Sequence, residues 1–282
     1  MELPVLPGPN PKLLDVIKGV AELKIRQDYM SRTLVGQQFL NDWMHAANTC
    51  AFFPDTFVRR LLPFLLWEEE RSRKTYPALV PVEFAIGACI KGLPYHIEPE
   101  EVPDRIAQYR ENKASGARAS GTYIPELGIY FAHEGKHRVA FMRHHNEPFF
   151  QAEVDDLSYP AADRLKIVTS SRSKVFFVLL DERYLQLLLL PHSTQRILSS
   201  YGVSSIRWDQ LNNAPAESTV LRMVGERQLF TAPDNRSEAT RTIDLHELLQ
   251  KEDTEKQRER ELGQKKATWK NRFVRFLLNE PD

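Results

Sequence analysis

Residues 129–154 read IYFAHEGKHRVAFMRHHNEPFFQAEV. The letters HEGKH admit two readings. One is the H-E-x-x-H pattern of zinc hydrolases, with both histidines on one face of one helix and the glutamate acting as general base on a metal-bound water. The other is a strand, GIYFA, that turns at HEG, enters a helix, KHRVAFMRHH, and is followed by a second strand, FFQAEVDDL. The second reading accounts for more of the letters. Gly135 is a poor helix former and a good turn former. Lys136 would set a positive charge beside a dication. His133, reached from an apolar strand, belongs to the turn rather than to the helix that carries His137. Glu153, His144 or His145 could supply a third zinc ligand, but the expectation is a β–α–β unit without a metal.

Such a unit suits an anion. The first N–H groups of a helix point toward the turn before it, where the positive end of the helix dipole also lies. Gly135 lets the backbone come close to a ligand. Lys136, His137 and Arg138 follow in the first helical turn, and an arginine can hold a phosphate with two hydrogen bonds. Basic side chains disfavour a helix N-terminus by themselves, so three in succession point to a negative ligand.

EGKHRVAF, between an apolar strand and the strand FFQAEV, resembles the Gly-x-His-Arg signature of the ParB N-terminal/sulfiredoxin-like superfamily. The resemblance covers residues 76–157. It implies nucleotide binding through Gly135, Lys136, His137 and Arg138, with Glu134 in the place of the acidic residue that often precedes the glycine. Members include CTP-binding partition proteins, ATP-dependent sulfiredoxins, free-serine kinases and plasmid proteins with nuclease or ATPase activity. The catalytic cysteine of sulfiredoxins is replaced here by Lys136, which argues against sulfinic-acid reduction. The helix-turn-helix that follows this domain in partition proteins has no counterpart after residue 158, where strands are expected instead.

The remaining chain sets the context. Its 282 residues are 42% hydrophobic and 27% charged, the balance of an ordinary soluble protein. Lys+Arg and Asp+Glu each total 38, so nucleic-acid binding would require a local basic patch. Two cysteines, Cys50 and Cys89, lack metal or disulfide spacing and read as core residues of a reducing compartment. The start lacks the basic and long apolar segments of a signal peptide, and no apolar run would span a membrane. A cytoplasmic location is the expectation.

The sequence predicts an α+β protein: a small mixed sheet with a ParB/sulfiredoxin-like core, a helical N-terminal region and a charged C-terminal helix. The expected division is 1–75, 76–157 and 158–282. Residues 1–10 read as an extended, proline-rich arm. KLLDVIKGVAELKI and SRTLVGQQFLNDWMHAA read as helices, the second capped by Ser31; a third begins at Pro54-Asp55 and breaks at Pro63. ALVPVEFAIGACI reads as a strand and turn, and EPEEVPDRIAQYREN as a short helix with Asp104 near its start. TYIPELGIYFA reads as one strand. Beyond it, PAADRLKIVTS reads as helix, SKVFFVLLD as strand, ERYLQLLLLP as a helix ending at Pro191, and STVLRMVGERQLFTAP as one or two strands. The last stretch is a long helix, interrupted near Gly263.

Three further features bear on function. Glu98, Glu100, Glu101 and Asp104 form an acidic cluster, either a solvated helix start or a source of a general base or Mg²⁺ ligand. Glu134, then Glu98 and Glu101, are the candidate catalytic carboxylates. Arg105, Arg110, Lys113 and Arg118 are surface charges or phosphate-backbone contacts. The tail spaces Trp269, Phe273 and Phe276 among Lys265, Lys266, Lys270, Arg272 and Arg275. That basic amphipathic pattern suits the protein's own core, a second subunit, a protein partner, nucleic acid or an anionic membrane surface. The function expected is nucleotide triphosphate binding, ATP or CTP with or without Mg²⁺, in an NTPase, phosphotransferase or nuclease acting near DNA. The alternative is a non-enzymatic protein- or DNA-binding module that keeps the fold, with the N-terminal helices or the tail engaging the partner or a second copy.

Overall fold

A computed structural model describes residues 3–33, 54–67, 75–88, 97–113, 118–227 and 241–277. The chain is mixed α/β, with seven α-helices and two five-stranded mixed sheets among the described residues. No described helix is long and apolar enough to cross a membrane. Cys50, Cys89 and the helix expected after residue 33 lie outside the described residues.

The N-terminal arm pairs with the sheet: Leu6 N–H donates to Leu79 O at 2.9 Å and Leu79 N–H to Pro4 O at 2.8 Å. Asn10 then starts α1 (Leu14–Thr33) by accepting the Lys12 and Leu13 N–H groups on its side chain. The helix buries Ile17, Val20 and Ala21 along one stripe, which Leu13 extends from just before its first residue. It also buries an ion pair, Lys24 with Asp28, at 2.6 Å, both side chains wholly inaccessible. Ser31 lies inside α1 rather than capping a new helix. Helix α2 (Pro54–Leu61) stops short of Pro63, whose missing N–H and ring cannot continue a helix.

The first sheet has the order β1-β5-β3-β4-β2. β1 (Tyr76–Pro81) leads through a 3₁₀ turn into β2 (Ala85–Ile86), and α3 (Val102–Arg110) follows. The stretch expected as a single strand is a hairpin of β3 (Ser120–Ile124) and β4 (Ile129–Glu134). Gly128 closes it at φ +65°, and a Cβ there would lie 2.4 Å from the Pro9 nitrogen. Helix α4 (Lys136–His144) and β5 (Phe149–Asp156) complete this half.

The second sheet has the order β10-β8-β7-β6-β9. β6 (Leu165–Thr169) occupies the stretch expected as a helix, because Ile167 and Val168 pair with β7 (Phe176–Leu180) and, in parallel, with β9 (Ser204–Arg207). β8 (Tyr184–Leu187) likewise replaces an expected helix, and Pro191 opens α5 (Pro191–Tyr201) instead of ending one. STVLRMVGE lies within α6 (Glu217–Glu226), not in strands. β10 (Ile243–Asp244) leads into α7 (Leu245–Leu277), which passes Gly263 without interruption, a single glycine costing a helix only about 1 kcal/mol.

The layers follow from which faces are apolar. Helices α1, α2 and α5 pack between the two sheets, drawing Phe57, Leu61, Phe131, Ile129, Val178 and Leu198 into one core. Helices α3 and α4 cover the outer face of the first sheet through Tyr109, Val139 and Phe141. Helix α6 and the start of α7 cover the outer face of the second through Val220, Val224 and Leu248. Both faces of each sheet are therefore covered over much of their area. Truncating a wholly buried side chain such as Phe57 to alanine would cost about 3–5 kcal/mol.

Candidate functional site

At the end of β4 the chain reverses into α4 through Gly135, which sits at φ +73°, ψ 18°. A Cβ here would lie 2.9 Å from the Ala119 Cβ, so both dihedral and space require glycine. The first turn of α4 is pressed against Gly87: a Cβ on Gly87 would lie 2.5 Å from the Lys136 carbonyl, which accepts the Ala88 N–H at 3.1 Å. No acidic residue occupies this first turn.

Of the basic residues expected there, Lys136 and His137 are half-buried and Arg138 is buried. Arg138 Nη1 donates to Asn112 Oδ1 at 2.9 Å, and its guanidinium lies 5.2 Å from the centre of the Tyr109 ring. Asn112 also accepts the Ala119 N–H at 2.8 Å, which joins the end of α3 to the start of β3. It does so at φ +52°, a conformation that asparagine tolerates better than most residues. Arg138 thus forms the inner wall of the turn, held by Tyr109 in α3 and by Asn112 in the turn that follows it.

The candidate carboxylates are separated. Glu134 is exposed at the end of β4, and its carboxylate has no hydrogen-bond partner among the described residues. Glu98 and Glu101 precede α3, whose other end carries Tyr109 and Asn112 against Arg138. The helix between them rises about 12 Å. Glu101 pairs with Arg105 at 3.3 Å.

The basic stretch is matched by acids. Arg110 Nε donates to Glu147 at 2.9 Å, Lys113 pairs with Glu111 at 2.6 Å, and Arg118 lies 3.9 Å from Glu153. His144 and His145 close α4. The His145 ring stacks at 4.5 Å on Phe141, and its pKa is lowered by burial and then by neighbouring His144.

His133 does not share a helix with His137: it lies on β4, at a bulge. Ser120 pairs with Glu134 but Gly121 pairs with Ala132, so His133 is the extra residue. Its Nε2 lies 2.8 Å from the hydroxyl of Thr122, and that hydroxyl donates to Asp155 Oδ2 at 3.1 Å. Thr122 is wholly buried, whereas His133 is exposed. The three come from β4, β3 and β5, and Thr122 pairs directly with Asp155 across the parallel ladder. Thr122 and Asp155, like Asn112 and Tyr109, escape a reading of the sequence: the two hydrogen bonds span 11 and 33 residues, and only strand register aligns their ends.

No protein-family model matches the chain, and no curated protein matches it either.

In the middle of β4, the Tyr130 phenol is buried and has no hydrogen-bond partner among the described residues. Burial, then repulsion from Asp155, pushes its pKa above the usual tyrosine range, with Arg138 acting in the opposite sense. Gly121 makes room for this ring: a Cβ there would lie 2.6 Å from the Tyr130 oxygen.

Proposed function

We propose that the chain binds a nucleoside triphosphate through the turn of Gly135, Lys136, His137 and Arg138, in the manner of the ParB N-terminal/sulfiredoxin-like superfamily. The observation that carries this reading is the left-handed Gly135 joining β4 to the N-terminus of α4, with three basic residues and no acid in the first turn. That geometry favours a polyphosphate, which would meet the helix N-terminus and the Lys136 charge together. Mg²⁺ would accompany the nucleotide, with Glu134 the nearest candidate carboxylate in sequence. The reaction class is phosphoryl transfer or hydrolysis.

Isothermal titration with ATP, CTP and GTP, each with and without Mg²⁺, tests the reading. One nucleotide is expected to bind in the micromolar range or tighter, and Lys136→Ala is expected to weaken it by about tenfold. Absence of binding by all three would remove the proposal.

A second reading, a non-enzymatic binding module, is favoured by α7. It is 33 residues long, about 50 Å, and is anchored by Leu245 and Leu248. From residue 253 to 264 every position is exposed, including Leu262 at 58%. A helix that leaves its core in this way offers a surface to a protein partner or a second copy. Sedimentation of the full chain against one shortened after residue 252 would test self-association.

A further inference from the structure

We infer that His133 is the proton-accepting residue of the proposed nucleotide site, oriented by Thr122 and Asp155. This rests on the nucleotide reading above and adds to it the residue that would carry the reaction.

The Thr122 hydroxyl carries a single proton. An ionised carboxylate can only accept hydrogen bonds, so the 3.1 Å contact with Asp155 uses that proton. The Thr122 oxygen must then accept in its 2.8 Å contact with His133, which makes His133 Nε2 the donor. In a neutral imidazole this leaves the lone pair on Nδ1, so one tautomer is selected without a backbone contact. Protonation at Nδ1 produces an imidazolium whose charge faces Asp155 through one buried hydroxyl. The arrangement gives a base, an orienter and a carboxylate, the logic of activated proton transfer in many hydrolases.

Chain proximity supports the role. His133 is two residues from Gly135, so its Cα lies within about 7 Å of the turn by chain geometry alone. The bulge at His133 sets it apart from the regular ladder. The Phe131 ring, which belongs to the core between the sheets, meets the imidazole edge-on at 5.4 Å. Glu134 is nearer the glycine, but no hydrogen bond orients its carboxylate among the described residues.

The step balances with water as the second reactant. A water oxygen bonds to the terminal phosphorus while the bond to the bridging oxygen breaks. The water proton passes to His133 Nδ1, and the nucleoside diphosphate leaves with the electron pair. His133 then releases its proton to solvent.

The test uses the full chain, with ATP, CTP and GTP in turn, and reads affinity and turnover separately. His133→Gln is expected to bind nucleotide within about threefold of wild type while kcat falls by about 100-fold or more. Thr122→Val and Asp155→Asn, which leave the base in place but unoriented, are expected to lower kcat by about tenfold. Nitrogen-15 spectra of the His133 ring are expected to show the Nε2–H tautomer in wild type and a mixture in Thr122→Val, a readout that needs no nucleotide. If nucleotide binds but is not hydrolysed, or if His133→Gln turns over normally, the inference fails while the binding reading stands. A dominant Nδ1–H tautomer in wild type also overturns it. If no nucleotide binds, both fail.

Discussion

Arg138 and Asn112 meet beneath the glycine turn: the guanidinium donates at 2.9 Å to a side-chain oxygen that also accepts the Ala119 N–H at 2.8 Å. One oxygen therefore serves the helix that begins the site and the strand that passes beside it. Asn112→Ala leaves both donors without that partner and is expected to cost about 1–3 kcal/mol in urea unfolding. Nucleotide affinity should fall as well, because the arginine loses its orientation. A fully stable variant would show that water replaces the amide.

Gly135→Ala tests the turn directly. The added methyl meets Ala119 at 2.9 Å, and alanine is strained at φ +73° by about 1–2 kcal/mol. The variant is expected to be less stable by at least that amount and to lose nucleotide binding in titration calorimetry. Retention of wild-type affinity would place the ligand elsewhere.

Lys24 and Asp28 form an ion pair at 2.6 Å with neither side chain accessible to solvent. Removing one partner leaves a charge in the core between the sheets. Lys24→Met is expected to destabilise by about 3–5 kcal/mol, and the double variant Lys24→Met with Asp28→Leu to recover most of that loss. Thermal unfolding of wild type, both single variants and the double variant reads the comparison, and a loss in the double equal to the sum of the two single losses would show that the pair is not coupled.

Alkaline stability should follow the tyrosines. The Tyr123 pKa is pushed up to about 12 by burial and by the charges of Asp156 and Glu126, and the phenol donates to Pro7 O at 2.7 Å. Between pH 10 and 12 the folded chain retains a proton that the unfolded chain releases, so stability falls as pH rises through that range. Tyr76 and Tyr130 shift in the same direction. Tyr123→Phe is expected to reduce the slope of unfolding free energy against pH without abolishing it. An unchanged slope would mean that Tyr123 titrates alike in both states.

Where periodicity was one-sided, the sequence by itself determined the local structure. Leu13, Ile17 and Val20 recur at helical spacing and lie on one buried stripe that runs from just before α1 into the helix. Pro63 stops α2, and the passage from IYFA through Gly135 into KHRVAF is strand, turn and helix as the residues dictate. Local preferences need no distant partner to be expressed there.

Tertiary structure decided the rest. YLQLLLL is apolar at nearly every position because helices cover both faces of its sheet, so its period could not separate strand from helix. Leu185 and Leu187 serve one core while Leu188 serves the other. The site divides in the same way. Gly135 announced the turn through its own conformational freedom, whereas Thr122, His133 and Asp155 became partners only through the register of β3 with β4 and β5. Register is set by which side chains the whole core buries, and no segment contains that information alone.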